Sequence, residues 1–442
     1  MPDKKELYLH IGTVKTGTTA LQYFCDLNRQ VLKDHSISYP ESQDNLKAHH
    51  RFSWSLELFE GKLFSPNWPS DLASPRDEWH RLKKQCNGQK NLISSENFFN
   101  RSSESISTLK HFFSDFKVKV IVYWRRRDHL EDAWYNQRIK RGEVIFLPKV
   151  QGRLGRKEQL DKWTMAFGKE NIILRPYERG QLYQKDVVAD FLHHILGLKL
   201  DDELFTLPEK EVNHRLHQVI LEYKRRINHL DLVLKQKRKT VAALKDIQNV
   251  FNQEGRKTFP VFSPQQRLEL ITKYAGEYTA IAREYLGREN GELFYDPLPN
   301  PDDEWQPYHE LLEEDARKIN ENLAQKYPRV FNLVVRGILL TLASPIKARE
   351  SALKLLPGIP PERIALILGK ILATPEAQYD LILERKSHNL YNSRTWRTGM
   401  AIHHLYKCLP SRLQKPAWKL AQIIYRGSKK ALPFLKFARN DK

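Results

Sequence analysis

Between Gly12 and Thr19 the chain reads GTVKTGTT, with one lysine, two glycines and four threonines in eight residues. The stretch is entered from an apolar run and leaves into a helical pattern. A turn in that position aims backbone N–H groups outward at the partial positive charge of a helix N-terminus, which makes an anion site. Gly12 and Gly17 let the backbone approach the anion closely. Thr16, Thr18 and Thr19 can donate hydroxyl hydrogen bonds, and Lys15 supplies a full charge. This is phosphate-binding chemistry. It is not the nucleoside-triphosphatase loop, in which four residues separate a first glycine from Gly-Lys-Ser/Thr. Here the lysine precedes the second glycine, in KTGTT.

A second basic constellation is VIVYWRRRDHLEDAWYNQRIKRG, Val120–Gly142. Its arginines follow an apolar strand-like run directly. Together, HIGTVKTGTTALQ and this segment resemble the sulfotransferases that use 3′-phosphoadenosine 5′-phosphosulfate (PAPS), and most closely the bacterial carbohydrate-type members. The resemblance implies that Thr13, Lys15, Thr16, Gly17, Thr18 and Thr19 hold the 5′-phosphosulfate. It implies that Arg125 holds the 3′-phosphate and that Tyr177 packs on the adenine. The family also places a serine eight residues after that arginine; this chain has Ala133 there. The departure removes one neutral hydrogen bond, roughly 0.5–1.5 kcal/mol, for which Arg126 or Arg127 could compensate electrostatically. Val14 stands where the family usually has proline. Weaker similarity continues through NLISSENFF and ILRPYERGQLYQKDVVADF, so that it spans about residues 5–298.

The implied reaction moves a sulfuryl group from PAPS to a hydroxyl or amine of a carbohydrate acceptor, such as a surface polysaccharide precursor or glycolipid, with no metal. Lys15 would stabilise charge developing on the leaving phosphate. An acceptor proton needs a general base. Glu96 is the first candidate, because it lies just past a strand-like run at the edge where α/β sites form. His50, with His49 beside it, is second, and Glu41 third. A rival reading is a degenerate nucleotide-binding scaffold at a membrane surface, with Ala133 and Val14 as marks of decay.

The elements that must position these groups are legible as alternation. Leu7–Ile11, Asn91–Ser95, Val118–Trp124 and Asn171–Arg175 are short and almost continuously apolar, as expected of strands buried on both faces of a parallel sheet. Helical patterns separate them, and the spacing predicts a helix over Thr19–Leu32. The expected fold class is therefore α/β, a three-layer parallel sheet with a P-loop-like turn, followed by a helical C-terminal region. Ser263 as N-cap, Pro264 at the first helical position and Gln266 three residues after the cap predict a helix start. Four prolines in Tyr295–Pro307 read as a linker, giving segments 1–298, 299–385 and 386–442.

Over 442 residues the net charge is +20 and 40% are apolar, so a sizeable core accompanies a preference for polyanionic partners. From Lys386 to Lys442 there are 13 Lys/Arg against one acid, Asp441. Aromatic residues interleave with these charges, which suits an anionic membrane surface; no nucleic-acid motif accompanies them. Val330–Ile346 is apolar but short, with Arg336 in its middle, and reads as a buried helix rather than a span. The three cysteines are far apart and form no metal or disulfide framework. With no leader-like apolar core near the start, the reading is cytoplasmic, with peripheral membrane attachment through 386–442.

Overall fold

The structure is a computed structural model that describes residues 4–43, 46–61, 69–145, 155–200, 204–207, 215–306, 310–343 and 349–372. The basic segment 386–442 lies outside the described residues. Five strands form one wholly parallel sheet in the order β2-β3-β1-β4-β5. They are β1 (Glu6–His10), β2 (Ile37–Ser38), β3 (Lys90–Ser94), β4 (Lys117–Trp124) and β5 (Ile172–Pro176). Four match the apolar runs within a residue or two. The fifth, β2, has two residues, too short to leave a periodicity in the sequence. Central pairing is in register from Glu6↔Lys90 to His10↔Ser94 on one side and from Glu6↔Lys117 to His10↔Ile121 on the other.

The continuous apolar pattern has the expected cause. Leu7, Leu9, Ile93, Val120 and Val122 on one face of the sheet and Ile121 and Tyr123 on the other are all fully buried. Each such side chain contributes about 1.5–3 kcal/mol relative to exposure. Helices cover the sheet: α1 (Thr18–Leu27), α2 (Arg29–Asp34), α3 (His50–Phe59), α4 (Pro75–Lys83), α5 (Ser103–Phe112), α6 (Arg127–Lys140), α7 (Lys157–Phe167) and α8 (Val187–Phe191) surround or connect its strands. The helix expected over Thr19–Leu32 is broken at Asn28. Its side chain donates to the Phe24 carbonyl at 2.8 Å and accepts from the Thr206 N–H at 2.7 Å. A local asparagine bond competing with the helix ladder ends α1 there.

The described chain divides into two compact units, 1–134 with 150–214 and 262–304, and 135–149 with 215–261 and 305–442. The first holds the sheet together with α11 (Pro264–Lys273) and α12 (Ala275–Leu286). The capping box expected at Ser263 is present, with the Gln266 N–H donating to Ser263 Oγ and the Ser263 N–H to Gln266 Oε1. The second unit is helical: α9 (Gln218–His229), α10 (Leu234–Gln253), α13 (Glu313–Lys326), α14 (Pro328–Ala343), α15 (Arg349–Lys354) and α16 (Pro361–Leu372). Residues 215–261, part of the 1–298 segment on sequence grounds, cluster here because α10 packs on α13 and α14, and α9 on α15. Asn320 ties the unit together by accepting from Tyr223 Oη and donating to the Leu355 and Pro357 carbonyls. The α14 helix is amphipathic, with Phe331, Val334, Val335, Ile338, Leu339 and Leu342 buried and Arg336 exposed. Among the described residues no helix is long and apolar enough to cross a membrane.

Candidate functional site

Strand β1 sits at the centre of the sheet, with β3 and β2 added on one side and β4 and β5 on the other. The chain therefore reverses its direction of build beside β1, and the crevice outside the carboxyl end of such a strand is where open α/β sheets bind ligands. The Gly12–Gly17 segment occupies that edge and opens α1. Three of its residues have left-handed backbone: Gly12 (φ 58°), Lys15 (φ 65°) and Gly17 (φ 76°). At Gly17 a Cβ would lie 2.8 Å from Val187 Cγ1 and 3.2 Å from Tyr177, so both conformation and space require glycine. Lys15 adopts the same region with a side chain, a strained conformation of the kind held at ligand sites.

Thr13 and Thr16 hold the turn from inside. Both are buried. Thr13 Oγ1 donates to the Tyr123 carbonyl at 2.9 Å, and Thr16 Oγ1 donates to the Thr13 carbonyl at 2.6 Å. Their hydroxyl protons thus serve the loop's own geometry, whereas the resemblance implies that both residues hold the 5′-phosphosulfate. Thr18 and Thr19 begin α1. Arg125, at the end of β4, reaches across to the same turn and donates to the Lys15 carbonyl at 2.6 Å. Its guanidinium lies 5.3 Å from the ring centre of Tyr177, which follows β5 and donates its N–H to the Trp124 carbonyl. Lys15, Gly17, Arg125 and Tyr177, from three separate stretches of sequence, are therefore neighbours. Ala133 lies on α6. Of the two arginines that follow Arg125, Arg126 is buried against Asp128 and the Asp296 and Pro297 carbonyls, and Arg127 is buried beside Glu131 and the Tyr274 ring.

On the other flank, the loop meets the base candidates. A Cβ on Gly12 would lie 3.2 Å from Glu96 Cβ. Glu96 Oε2 accepts from Gln22 Nε2 at 3.2 Å and lies 4.0 Å from His50 Nε2. His50 Nδ1 shares a 2.8 Å hydrogen bond with Ser95 Oγ and receives the Asn97 amide at 3.3 Å. With an amide donor at Nδ1, the neutral ring carries its proton on Nε2, the nitrogen facing Glu96. Burial lowers the His50 pKa, opposed by the nearby Glu96 charge. His50 also lies against Trp54, with ring centres 5.4 Å apart.

His49 has a different part. It is buried, accepts the Ser94 N–H at Nδ1 and contacts the Pro40 carbonyl through Nε2, which pins β3 to the preceding loop. Glu41 is exposed, and its backbone pairs with the Gln85 side chain. Two polar residues that sequence reasoning missed complete the cluster. His10 is buried, bonds Ser94 Oγ at 2.9 Å through Nδ1, and has no hydrogen-bond partner at Nε2. Gln22 joins Ser94 to Glu96. A histidine inside the apolar run LYLHI was the available signal for the first; Gln22 left none beyond a polar residue on a buried helix face.

No protein-family model matches this chain, and no solved structure matches it. It is similar to a protein of Archaeoglobus fulgidus described as uncharacterized, with 26% identity over 204 residues, 45% of this chain and 54% of that protein. The chain thus spans about half the length of that relative.

Proposed function

We propose that this protein is a sulfotransferase that takes its sulfuryl group from PAPS and delivers it to a hydroxyl or amine of a carbohydrate. The observation that carries the reading is the meeting of Lys15, Arg125 and Tyr177 at one left-handed turn, with the Glu96–His50 pair across Gly12. The residues fit a nucleotide bearing two separated anionic groups beside an aromatic-faced base: two cations and one tyrosine flank a turn whose glycine admits no Cβ. When bound, PAPS supplies a sulfuryl group already activated on a phosphate leaving group.

The chain's own residues then have distinct tasks. Glu96 accepts the proton of the acceptor O–H or N–H as the new bond to sulfur forms, while His50 and Gln22 hold its carboxylate in place. The electron pair of the breaking sulfur–oxygen bond stays on the phosphate, where Lys15 supplies a compensating positive charge. Arg125 fixes the far end of the nucleotide and, through the Lys15 carbonyl, the conformation of the turn. Positioning and charge stabilisation supply the rate, as in phosphoryl transfer. The basic segment 386–442 suits an acceptor presented at an anionic membrane surface. Co-sedimentation with anionic vesicles by the full chain, and not by a chain ending at residue 385, tests that part.

The central test is calorimetric titration with adenosine 3′,5′-bisphosphate, with ATP for comparison. Saturable binding of the bisphosphate, preferred over ATP and weakened at least tenfold by Arg125→Ala, is the expected result. No binding, or a preference for ATP, would refute the reading and leave the scaffold alternative.

A further inference from the structure

Arg156 lies just before α7, far in sequence from every motif discussed above, yet it borders the end of β4. Its Nη2 donates to the Arg125 carbonyl at 3.1 Å, and its guanidinium lies over the Trp124 ring, 4.6 Å from the centre. The remaining donors are unused: Nε and Nη1 have no hydrogen-bond partner and no solvent contact. The indole N–H of Trp124, in the ring beneath, is fully buried and also without a partner.

The nearby carboxylates do not answer this demand. Glu277 Oε2 accepts the backbone N–H groups of Arg156 at 2.7 Å and Lys157 at 3.3 Å, and so caps the start of α7. Glu131 lies 3.0 Å from Arg127 Nε. Burial, with Arg127's charge next, pushes the Arg156 pKa down to about 10. Guanidinium N–H donors shielded from water and left idle are disfavoured unless something accepts from them. A planar guanidinium fork matches an oxyanion in shape and charge, and the indole N–H of the ring it covers is a further donor without a partner.

We infer that Arg156 and the Trp124 indole N–H, with Arg127 adjacent, form a second anion site on this unit, one that takes a carboxylate, sulfate or phosphate group. The side chains of successive residues along a strand point to opposite faces, so Trp124 and Arg125 are directed apart: Arg125 reaches the Lys15 turn, while Trp124 faces Phe99 and Arg156. The inference does not depend on the donor assignment.

The test uses the full chain carrying Lys15→Ala, which disables the turn, and inorganic phosphate as probe in calorimetry. Saturable phosphate binding is expected to persist there, to weaken at least tenfold on adding Arg156→Gln, and to weaken several-fold on adding Trp124→Phe, which keeps the ring and removes the N–H. Competition by glucuronate would identify the occupant as a carboxylate of the acceptor; phosphate binding without such competition would identify a free inorganic oxyanion. Phosphate affinity unchanged by both substitutions, or no saturable binding before they are made, would overturn the proposal and leave the donors to ordered water. If Arg156→Gln does not fold, Trp124→Phe decides alone.

Discussion

Acid should destabilise the sheet-bearing unit through two buried histidines, and the size of the effect can be worked out. His10 and His49 are 1% exposed, and burial pushes both pKa values down to about 4. In the unfolded chain an imidazole titrates near 6.5. Between these values the unfolded chain binds protons that the folded one refuses, so stability is full above about pH 6.5, falls as pH drops, and stops falling below about pH 4. Each histidine should cost about 2 kcal/mol between pH 7 and 5 and about 3 kcal/mol by pH 4. The perturbation is His10→Asn, because an asparagine amide can take the place of Nδ1 beside Ser94 Oγ, the one hydrogen bond the ring makes. Urea unfolding of the variant and the native protein at pH 7, 6 and 5 isolates the effect, since other titrating groups cancel in the comparison. The variant should lose about 2 kcal/mol less than the native protein between pH 7 and 5. Parallel pH dependences would refute the argument that His10 is held neutral by burial.

Gly17→Ala combines a left-handed residue with a 2.8 Å approach to Val187; it should lower stability by roughly 1–2 kcal/mol and weaken adenosine bisphosphate binding, and calorimetry showing native affinity would count against the turn as the binding element. Lys15→Ala should cut turnover by roughly 100- to 1000-fold with the circular dichroism spectrum unchanged, and native turnover would sink the charge-stabilising role. Glu96→Gln should reduce kcat by roughly 100- to 10,000-fold, and His50→Gln by less. Because burial depresses the His50 pKa, the acidic limb of the native pH–rate profile should lie at lower pH than an ordinary imidazole would give; His50→Gln should alter that limb, and an unaltered limb would remove His50 from the mechanism.

Local interactions were open to reading from the chain alone. Four of five strands announced themselves because a strand buried on both faces must be apolar at nearly every position, and no distant contact is needed to see that. The start of α11 was legible because the Ser263–Gln266 exchange lies within four residues. The lysine and glycines of the first turn stood out by composition, and their left-handed backbone follows from that turn. What needed tertiary structure was every relation across the sheet. Gln22, Ser94, Glu96 and His50 come from α1, β3, the turn after it and α3, and only the parallel order places them together. The same holds for the sorting of two adjacent histidines, where His49 points inward to staple β3 and His50 turns to Glu96, since neighbouring residues of one type differ only in the direction the backbone gives them. Arg156 carries no sequence signal at all. Its isolation is a property of what surrounds its N–H groups in space, and a linear chain, in which every polar group can meet water, contains no such information.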